Sequence, residues 1–302
     1  MHKPSKVHVP GKVPGDAPPV YSQNSAVWTS GDSVPETESY TLHAAELVLK
    51  QVLQRIRPGD SDSRGPRPLR IIDLCTGTGC IALLLHALLA THFQRMVVVG
   101  VDISPAAIGL ANRNLEHNLQ LGLLSNRALS EIKFHRGNVL GNQGDGIPSV
   151  EEVLQNDTLM ANGNSEYDVL ISNPPYISPT CFHDGTTARS VRIFEPTIAL
   201  VPTMDMRDFN NTTICNQGDY FYHFIIALSF KLRIKLTILE CGDYMQAERV
   251  VALCRDLIGK EKRHHELLVE VYPSDYTEMN LGESYSWNNA CAVIIRETDK
   301  SL

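Results

Sequence analysis

The chain has 302 residues, 43% of them apolar, which is enough for a full hydrophobic core in one large domain or two small ones. It carries 27 basic and 34 acidic residues, a net charge of −7, so it lacks the positive surface expected of a sequence-independent nucleic-acid binder. Seven cysteines without a Cys-x-x-Cys pair predict reduced, mostly buried thiols and no metal site, and the sequence has no apolar run long enough to span a membrane.

The first 34 residues contain five prolines and little apolar periodicity, so we expect a disordered or extended arm over residues 1–34. A single domain is expected over residues 35–302, beginning with a lead-in helix at 41–57. Strands then alternate with helices, which predicts an α/β fold: a Rossmann-like, mostly parallel sheet with helices on both faces. The predicted strands cover residues 69–75, 96–101, 131–135, 167–172, 234–240, 266–272 and 290–296, and the predicted helices cover 79–91, 105–119, 218–230 and 244–257. Two connections, at about 141–164 and 179–217, exceed normal loop lengths and are expected to be functional lids or disordered segments.

The strand predicted at 69–75 runs into a turn with two glycines, Gly77 and Gly79, and then into an apolar helix. Glycine permits backbone angles and close ligand approach that a β-carbon would block, and the helix offers free N–H groups to an anionic ligand group. Asp102 ends the next strand 23 positions after Gly79, near the ~20 expected for the acid that holds ribose hydroxyls in a nucleoside-binding unit. No Lys-Ser/Thr pair follows the loop and the spacing is not Gly-x-Gly-x-x-Gly, which favours S-adenosylmethionine over ATP or NAD.

The segment Asn173-Pro174-Pro175-Tyr176 follows the strand predicted at 167–172. Both prolines fix φ and lack an N–H, so the segment should form a stiff ledge at the carboxyl end of a strand, where open α/β sheets bind ligands. Such a ledge can hold a planar –NH2 group: the Asn173 side-chain oxygen and the Pro174 carbonyl accept its two hydrogens, and Tyr176 stacks on its plane. A proline-rich turn that merely follows a strand is the alternative interpretation.

Together the two motifs resemble those of class I S-adenosylmethionine-dependent methyltransferases. More narrowly, residues 33–297 resemble the HemK family of release-factor glutamine N5-methyltransferases in its organellar, fungal-like form. Residues 195–200 resemble the family's Glu-Pro-x-x-Ala-Leu segment, and residues 35–38 resemble an N-terminal family motif without its arginine. In the family the last strand inserts antiparallel into the sheet.

The chain also departs from the family pattern. Cys75 stands where many members have glycine, and Asn138 stands where an aspartate near the adenine is commoner. Residues 203–217 look like an insertion. Only 34 residues precede the N-terminal motif, in place of the helical domain with which family members usually grip their substrate.

The resemblance implies a set of site residues and no metal. The implied cofactor-binding residues are Asp73, Cys75, Thr76, Gly77, Thr78, Gly79, Asp102, Asn138, Val139 and Asn173. The implied substrate-binding residues are Asn173, Pro174, Pro175, Tyr176 and Glu195, and of these Asn173, Pro174 and Tyr176 are the expected catalytic residues. They would act by positioning an amide nitrogen and by preorganised electrostatics, not by a general base, so that no catalytic His or Cys is required.

The implied function is methyl transfer from S-adenosylmethionine to a glutamine side-chain nitrogen in the Gly-Gly-Gln loop of a class I peptide-chain release factor. The resemblance implies a mitochondrial protein, although no presequence is visible, and otherwise a cytoplasmic one; a monomer is expected. Two alternatives remain open. The ledge could hold the exocyclic amine of a flipped adenine in a nucleic-acid methyltransferase, although the acidic balance and the Glu195 segment disfavour nucleic acid. A non-catalytic S-adenosylmethionine-binding protein would fit the missing N-terminal domain and Cys75.

Overall fold

The computed structural model describes residues 50–52, 61–62, 65–141, 144–157, 166–203, 216–260, 267–272 and 291–298. The arm expected at 1–34, the motif at 35–38, most of the lead-in helix and most of the insertion expected at 203–217 lie outside these residues. Two short strands, β1 (Ser61–Asp62) and β2 (Gly65–Pro66), form an antiparallel hairpin ahead of the main sheet.

The main sheet contains seven strands within the described residues. They are β3 (Leu69–Leu74), β4 (Met96–Asp102), β5 (Ile132–Arg136), β6 (Val169–Ser172), β7 (Leu236–Cys241), β8 (Leu267–Tyr272) and β9 (Cys291–Glu297). Their order across the sheet is β5-β4-β3-β6-β7-β9-β8, and β9 runs antiparallel to both of its neighbours. Every predicted strand lies within two residues of its expected ends. The predicted mostly parallel sheet with one antiparallel strand near the C-terminus, the class I methyltransferase fold, is confirmed.

The helices are α1 (Cys80–Leu89), α2 (Pro105–Gln120), α3 (Ala128–Glu131), α4 (Val150–Asn156), α5 (Pro179–His183), α6 (Arg189–Phe194), α7 (Thr197–Leu200), α8 (Tyr220–Lys231) and α9 (Tyr244–Lys260), with a 3₁₀ turn at Gln217–Asp219. The four long helices match the predicted ones. Helices α4 to α7 lie in the two long connections, so disorder is the wrong expectation for these residues, while a lid function there stays a prediction. The start of α4 is a capping box, in which Ser149 and Glu152 each accept the other's backbone N–H.

Strand side chains alternate between the two faces of the sheet, and each face has its own helices. On the face that we call the α1 face, strand residues pack with α1 and α2; they include Leu69, Ile71, Val98, Ile171 and Ile238. On the opposite face, strand residues pack with α4, α8 and α9; they include Ile72, Val99, Leu170 and Leu239. Each face of the sheet thus has its own apolar layer, and neither layer includes the polar side chains at the carboxyl ends of the strands.

Within the described residues, no helix is both long and apolar enough to cross a membrane. The same part of the chain holds six free cysteines and contains no group of three or more acidic, His or Cys side chains arranged to hold a metal ion.

Candidate active site

The loop after β3 turns through three residues with positive φ: Cys75 at 57°, Gly77 at 56° and Gly79 at 79°. The left-handed conformation is strained for a residue with a β-carbon, which explains why glycine is common at the Cys75 position in the family that the chain resembles. A β-carbon on Gly77 would meet its nearest neighbour, the Cys75 carbonyl oxygen, at 4.0 Å, whereas one on Gly79 would lie 2.7 Å from the Phe134 ring. Gly77 therefore leaves space for a ligand, while Gly79 is required by packing against Phe134.

Asp73 lies fully buried near the end of β3, under this loop. Its Oδ2 accepts a hydrogen bond from the Thr76 hydroxyl at 2.6 Å, while its Oδ1 has no partner among the residues that the structure describes. Burial raises the pKa of the carboxyl to about 7, against the opposing effect of the hydrogen bonds from Thr76 and Ala82. A cationic ligand group beside Oδ1 would stabilise the charged form.

Asp102 closes the other side of the loop. Its Oδ2 accepts the Gly77 N–H at 2.9 Å and its Oδ1 accepts the Ser104 N–H at 2.8 Å. Both oxygens are fixed by backbone donors, and each keeps a lone pair for a ligand hydroxyl. Burial raises the pKa of Asp102, and the two backbone hydrogen bonds oppose that shift. Asn114 of α2, which the sequence did not single out, donates to the Thr78 carbonyl at 2.9 Å and holds the loop from below.

Asn138 is buried in the turn that follows β5. Its backbone N–H donates to the Pro148 carbonyl at 2.8 Å, and its side-chain oxygen accepts the Leu140 N–H at 3.0 Å. The side-chain oxygen is thus engaged in the local turn, unlike a free acceptor facing an adenine. A contact of Asn138 or of the half-buried Val139 with the cofactor stays a prediction.

The ledge, residues 173–176, follows β6 at the carboxyl edge of the sheet. Ser172 pairs with Leu74 of β3 on one side and with Leu239 of β7 on the other, so the ledge begins beside the glycine loop. The two prolines are buried, while Asn173 and Tyr176 are half-buried. The sheet therefore brings together the loop, Asp102 and the ledge, which are far apart in the sequence.

The segment that begins at Glu195 is drawn towards the ledge by a backbone hydrogen bond. The N–H of Ile177, directly after the ledge, donates to the carbonyl of Leu200 at the end of α7 at 2.9 Å. Glu195 is half-buried, and burial raises the pKa of its carboxyl. Its contact with a substrate stays a prediction.

A network that sequence reasoning missed supports the ledge from behind. Gln246 of α9 is only 5% exposed. Its Nε2 donates to the carbonyl oxygens of Tyr176 at 3.2 Å and Gly218 at 3.3 Å, and to Asp219 Oδ1 at 3.1 Å. Its Oε1 accepts the Gly242 N–H at 2.9 Å. One buried amide therefore links the ledge to the turn before α8 and to the start of α9.

Two glycines make room for Tyr176 in this network. A β-carbon on Gly218 would lie 2.5 Å from the Tyr176 carbonyl oxygen, and one on Gly242 would lie 2.8 Å from the Tyr176 ring. Arg249 holds Asp219 with hydrogen bonds of 2.6 and 3.1 Å. One sequence feature could have indicated this network: Gly242 lies four residues before Gln246, where a predicted strand is followed by a predicted helix.

The described residues fit S-adenosylmethionine. The unpartnered Asp73 oxygen suits the ammonium group of its methionine moiety, the space beside Gly77 suits a closely approaching chain, and the Asp102 oxygens suit its ribose hydroxyls. Asn173 lies at the adjacent strand end, directly after Ser172, which pairs with Leu74 of β3.

Several proteins of assigned activity are similar to this chain. "Probable MRF1 mitochondrial N(5)-glutamine methyltransferase mtq1" of Schizosaccharomyces pombe is 35% identical over 199 residues, which are 63% of this chain and 53% of that protein. "Mitochondrial MRF1 N(5)-glutamine methyltransferase MTQ1" of Saccharomyces cerevisiae is 30% identical over 148 residues, 47% of this chain and 36% of that protein. "Release factor glutamine methyltransferase" of Escherichia coli is 33% identical over 156 residues, 52% of this chain and 41% of that protein.

A fourth relative, "Ribosomal protein uL3 glutamine methyltransferase" of Bradyrhizobium diazoefficiens, is 34% identical over 109 residues, 36% of this chain and 24% of that protein. A solved structure of the human Mettl16 catalytic domain with an RNA hairpin has a TM-score of 0.48 and 16% identity, covering 89% of this chain and 74% of that one. A likeness this low does not indicate a shared function.

No protein-family profile matches the chain. The chain spans about half the length of the fission yeast relative and less of the other curated proteins above. Those proteins are named as glutamine methyltransferases, and the resemblance predicted from the motifs is confirmed. Over the residues matched, the chain is thus similar to glutamine N5-methyltransferases, as its resemblance to the HemK family predicted, and its site fits S-adenosylmethionine.

Proposed function

We propose that this protein methylates the side-chain amide nitrogen of a glutamine in the Gly-Gly-Gln loop of a class I peptide-chain release factor. The observation that carries the proposal is the ledge, which starts at the same sheet edge as Asp73 and Asp102. A planar amide donor on the ledge and a nucleoside cofactor over the glycine loop would be neighbours.

A glutamine nitrogen is a poor nucleophile because its lone pair is delocalised into the carbonyl. S-adenosylmethionine supplies an electrophilic methyl group on a positively charged sulfur. In the proposal Asn173 Oδ1 and the Pro174 carbonyl accept the two amide hydrogens, and Tyr176 fixes the amide plane. The nitrogen lone pair then points along the line of methyl transfer, so the rate gain comes from orientation and from acceptors already in place.

We propose a mitochondrial release factor as the partner of the chain, which acts as a monomer. The names of the two yeast relatives, both mitochondrial, support this location. The net charge of −7 supports a protein substrate over nucleic acid, because it disfavours a polyanionic partner. A glutamine in a ribosomal protein is a second candidate substrate, favoured by the uL3 methyltransferase among the relatives.

The test is transfer of a tritiated methyl group to purified substrates. The protein is incubated with a mitochondrial class I release factor, the same factor with its Gly-Gly-Gln glutamine changed to alanine, ribosomal protein uL3, bulk RNA and bulk DNA. We expect label in the unaltered release factor and none in its alanine variant. Label found only in RNA or DNA would overturn the proposal. Label found only in uL3 would show that the substrate is this ribosomal protein instead of the release factor.

A further inference from the structure

Glu240 is a buried carboxyl near the end of β7, and the sequence motifs assign it no role. Leu239 of β7 pairs with Ser172 of β6. Continuing this register by one position places Glu240 of β7 beside Asn173, the residue directly after β6, with backbones roughly 5 Å apart.

The two side chains also share a face of the sheet. Ile238 and Ile171 both belong to the core of the α1 face. Because strand side chains alternate with a period of two, Glu240 is directed to the same face. Pro174 favours an extended conformation at Asn173, which continues the alternation of β6 to that face. Asp73 lies on that face as well, two residues after Ile71.

The Glu240 carboxyl is buried without compensation. It is 7% exposed, and its Oε2 has no hydrogen-bond partner among the residues that the structure describes. A buried, unpaired carboxyl costs stability, so its presence calls for an explanation. By comparison, buried Asp168 at the amino end of β6 has ion pairs with Arg67 at 2.9 Å and Lys235 at 3.3 Å.

The surroundings of Glu240 bring the pKa of its carboxyl close to neutral pH. Burial alone raises the pKa of its carboxyl to about 7. Burial raises the pKa of the neighbouring Cys241 and Cys291 thiols, and the charge of Glu240 adds to both shifts, so the thiols stay neutral at pH 7. Tyr222 of α8 donates its hydroxyl hydrogen to the Glu240 backbone carbonyl at 2.6 Å. Ala292 of β9 pairs with Glu240 on one side and with Tyr272 of β8 on the other.

Orienting the amide prepares its nitrogen to attack the methyl group. The methylated nitrogen still carries both of its hydrogens, so it must lose one of them as a proton. We infer that Glu240 shares with Asn173 Oδ1 one hydrogen of the acceptor amide and takes it as a proton when the nitrogen is methylated, an inference that rests on the proposed function. The nitrogen lone pair forms the new N–C bond while the S–CH3 bond breaks and its electron pair returns to sulfur. The N–H electron pair reverts to nitrogen as the proton passes to a Glu240 carboxylate oxygen. The carboxylic acid so formed releases the proton to water after the product leaves.

The test is the pH dependence of single-turnover methyl transfer to the release factor, at saturating S-adenosylmethionine. Saturation matters because Asp73 also titrates near pH 7 in the free protein, and a bound ammonium group would keep Asp73 charged throughout. The wild-type rate should rise about tenfold per pH unit below 7 and level off above it. Glu240→Gln should be about 100-fold slower at pH 8 and independent of pH. Glu240→Asp should keep the inflection at an intermediate rate.

Two controls separate chemistry from folding. Glu270→Gln removes a partly exposed carboxylate of β8, outside the site, and should leave the profile unchanged. Thermal unfolding should show Glu240→Gln at least as stable as wild type, since the variant removes an unpaired buried acid. A Glu240→Gln rate within threefold of wild type, an inflection that survives in Glu240→Gln, or a wild-type rate that falls as the pH rises would each overturn the assignment.

A second readout distinguishes failure of this inference from failure of the proposed function. Carbon-13 NMR of glutamate-labelled protein with bound S-adenosylmethionine reports the carboxyl titration without any turnover. A carboxyl resonance that titrates near pH 7, and that is absent from the Glu240→Gln variant, supports Glu240 as the group that accepts the proton. Titration below pH 5 overturns it, even if methyl transfer to the release factor is found.

Discussion

Replacing Gln246 with methionine should weaken both the fold and the reaction while sparing the cofactor site. Methionine keeps a similar volume and removes both polar ends of the side chain. The buried hydrogen bonds of Gln246 with the Gly242 N–H at 2.9 Å and with the Tyr176 carbonyl at 3.2 Å are then lost. Loss of a buried hydrogen bond costs roughly 1–3 kcal/mol, so loss of the two should lower the free energy of unfolding by about 2–6 kcal/mol. For a chain of this size that is a decrease in Tm of roughly 3–10 °C.

The catalytic consequence follows from the loss of a fixed position for Tyr176. Misplacement of a positioning group by about 1 Å can cost up to a hundredfold in rate, so kcat should fall roughly 10- to 100-fold. Calorimetry should find the affinity for S-adenosylmethionine within about threefold of wild type, because Gln246 contacts neither the glycine loop nor Asp102. Gln120→Met, at the exposed end of α2, is the matched control and should change nothing. If Gln246→Met lowers Tm but turns over at the wild-type rate while fully folded, the network stabilises the fold without positioning the ledge.

Three further predictions concern the cofactor site and the ledge. Asp102→Ala should weaken S-adenosylmethionine binding at least tenfold by calorimetry; an unchanged affinity would remove Asp102 from the ribose. Asn173→Ala should retain less than about a tenth of the methyl-transfer rate with near-normal cofactor affinity, since an unpaired amide hydrogen costs roughly 1–3 kcal/mol; a higher residual rate contradicts the two-acceptor mechanism. The pKa of Asp73 is raised to about 7 from 3.8, so the folded protein holds a proton that the unfolded chain has lost. The contribution of Asp73 to stability is therefore complete below about pH 4 and is lost as the pH rises through 7, and this loss should be smaller with saturating cofactor. Denaturant titrations across that range check this, and an equal fall with and without cofactor would separate Asp73 from the bound ammonium group.

The sheet and its long helices could be predicted because each signal is local. Apolar runs ended by glycine or proline gave the strands, and a Ser104–Pro105 start marks α2, where Ser104 accepts the Ala107 N–H. Helix α4 was also readable, since Ser149 and Glu152 form a capping box. It was missed because the long connection was interpreted by its length instead of by its cap.

The supports of the site could not be predicted in the same way, because they depend on pairings between distant segments. Gln246 reaches a carbonyl 70 positions away in the sequence, and only the packing of α9 against the ledge reveals the contact. Glu240 becomes a neighbour of Asn173 only through the register of β6 and β7. The packing role of Gly79 was also hidden, because only the structure shows that the Phe134 ring occupies the space where its β-carbon would be; its contact with the cofactor stays a prediction.

The most direct test of the central claim is mass spectrometry of the release factor after reaction with the protein and S-adenosylmethionine. The ledge accepts a planar amide, so the account predicts a gain of about 14 daltons, one methyl in place of hydrogen, on the glutamine of the Gly-Gly-Gln loop. The fragment spectrum should assign the gain to the side-chain nitrogen of that residue, and the Asn173→Ala variant should abolish it. A methyl group on any other residue, or a modified adenine with an unmodified release factor, would contradict the account.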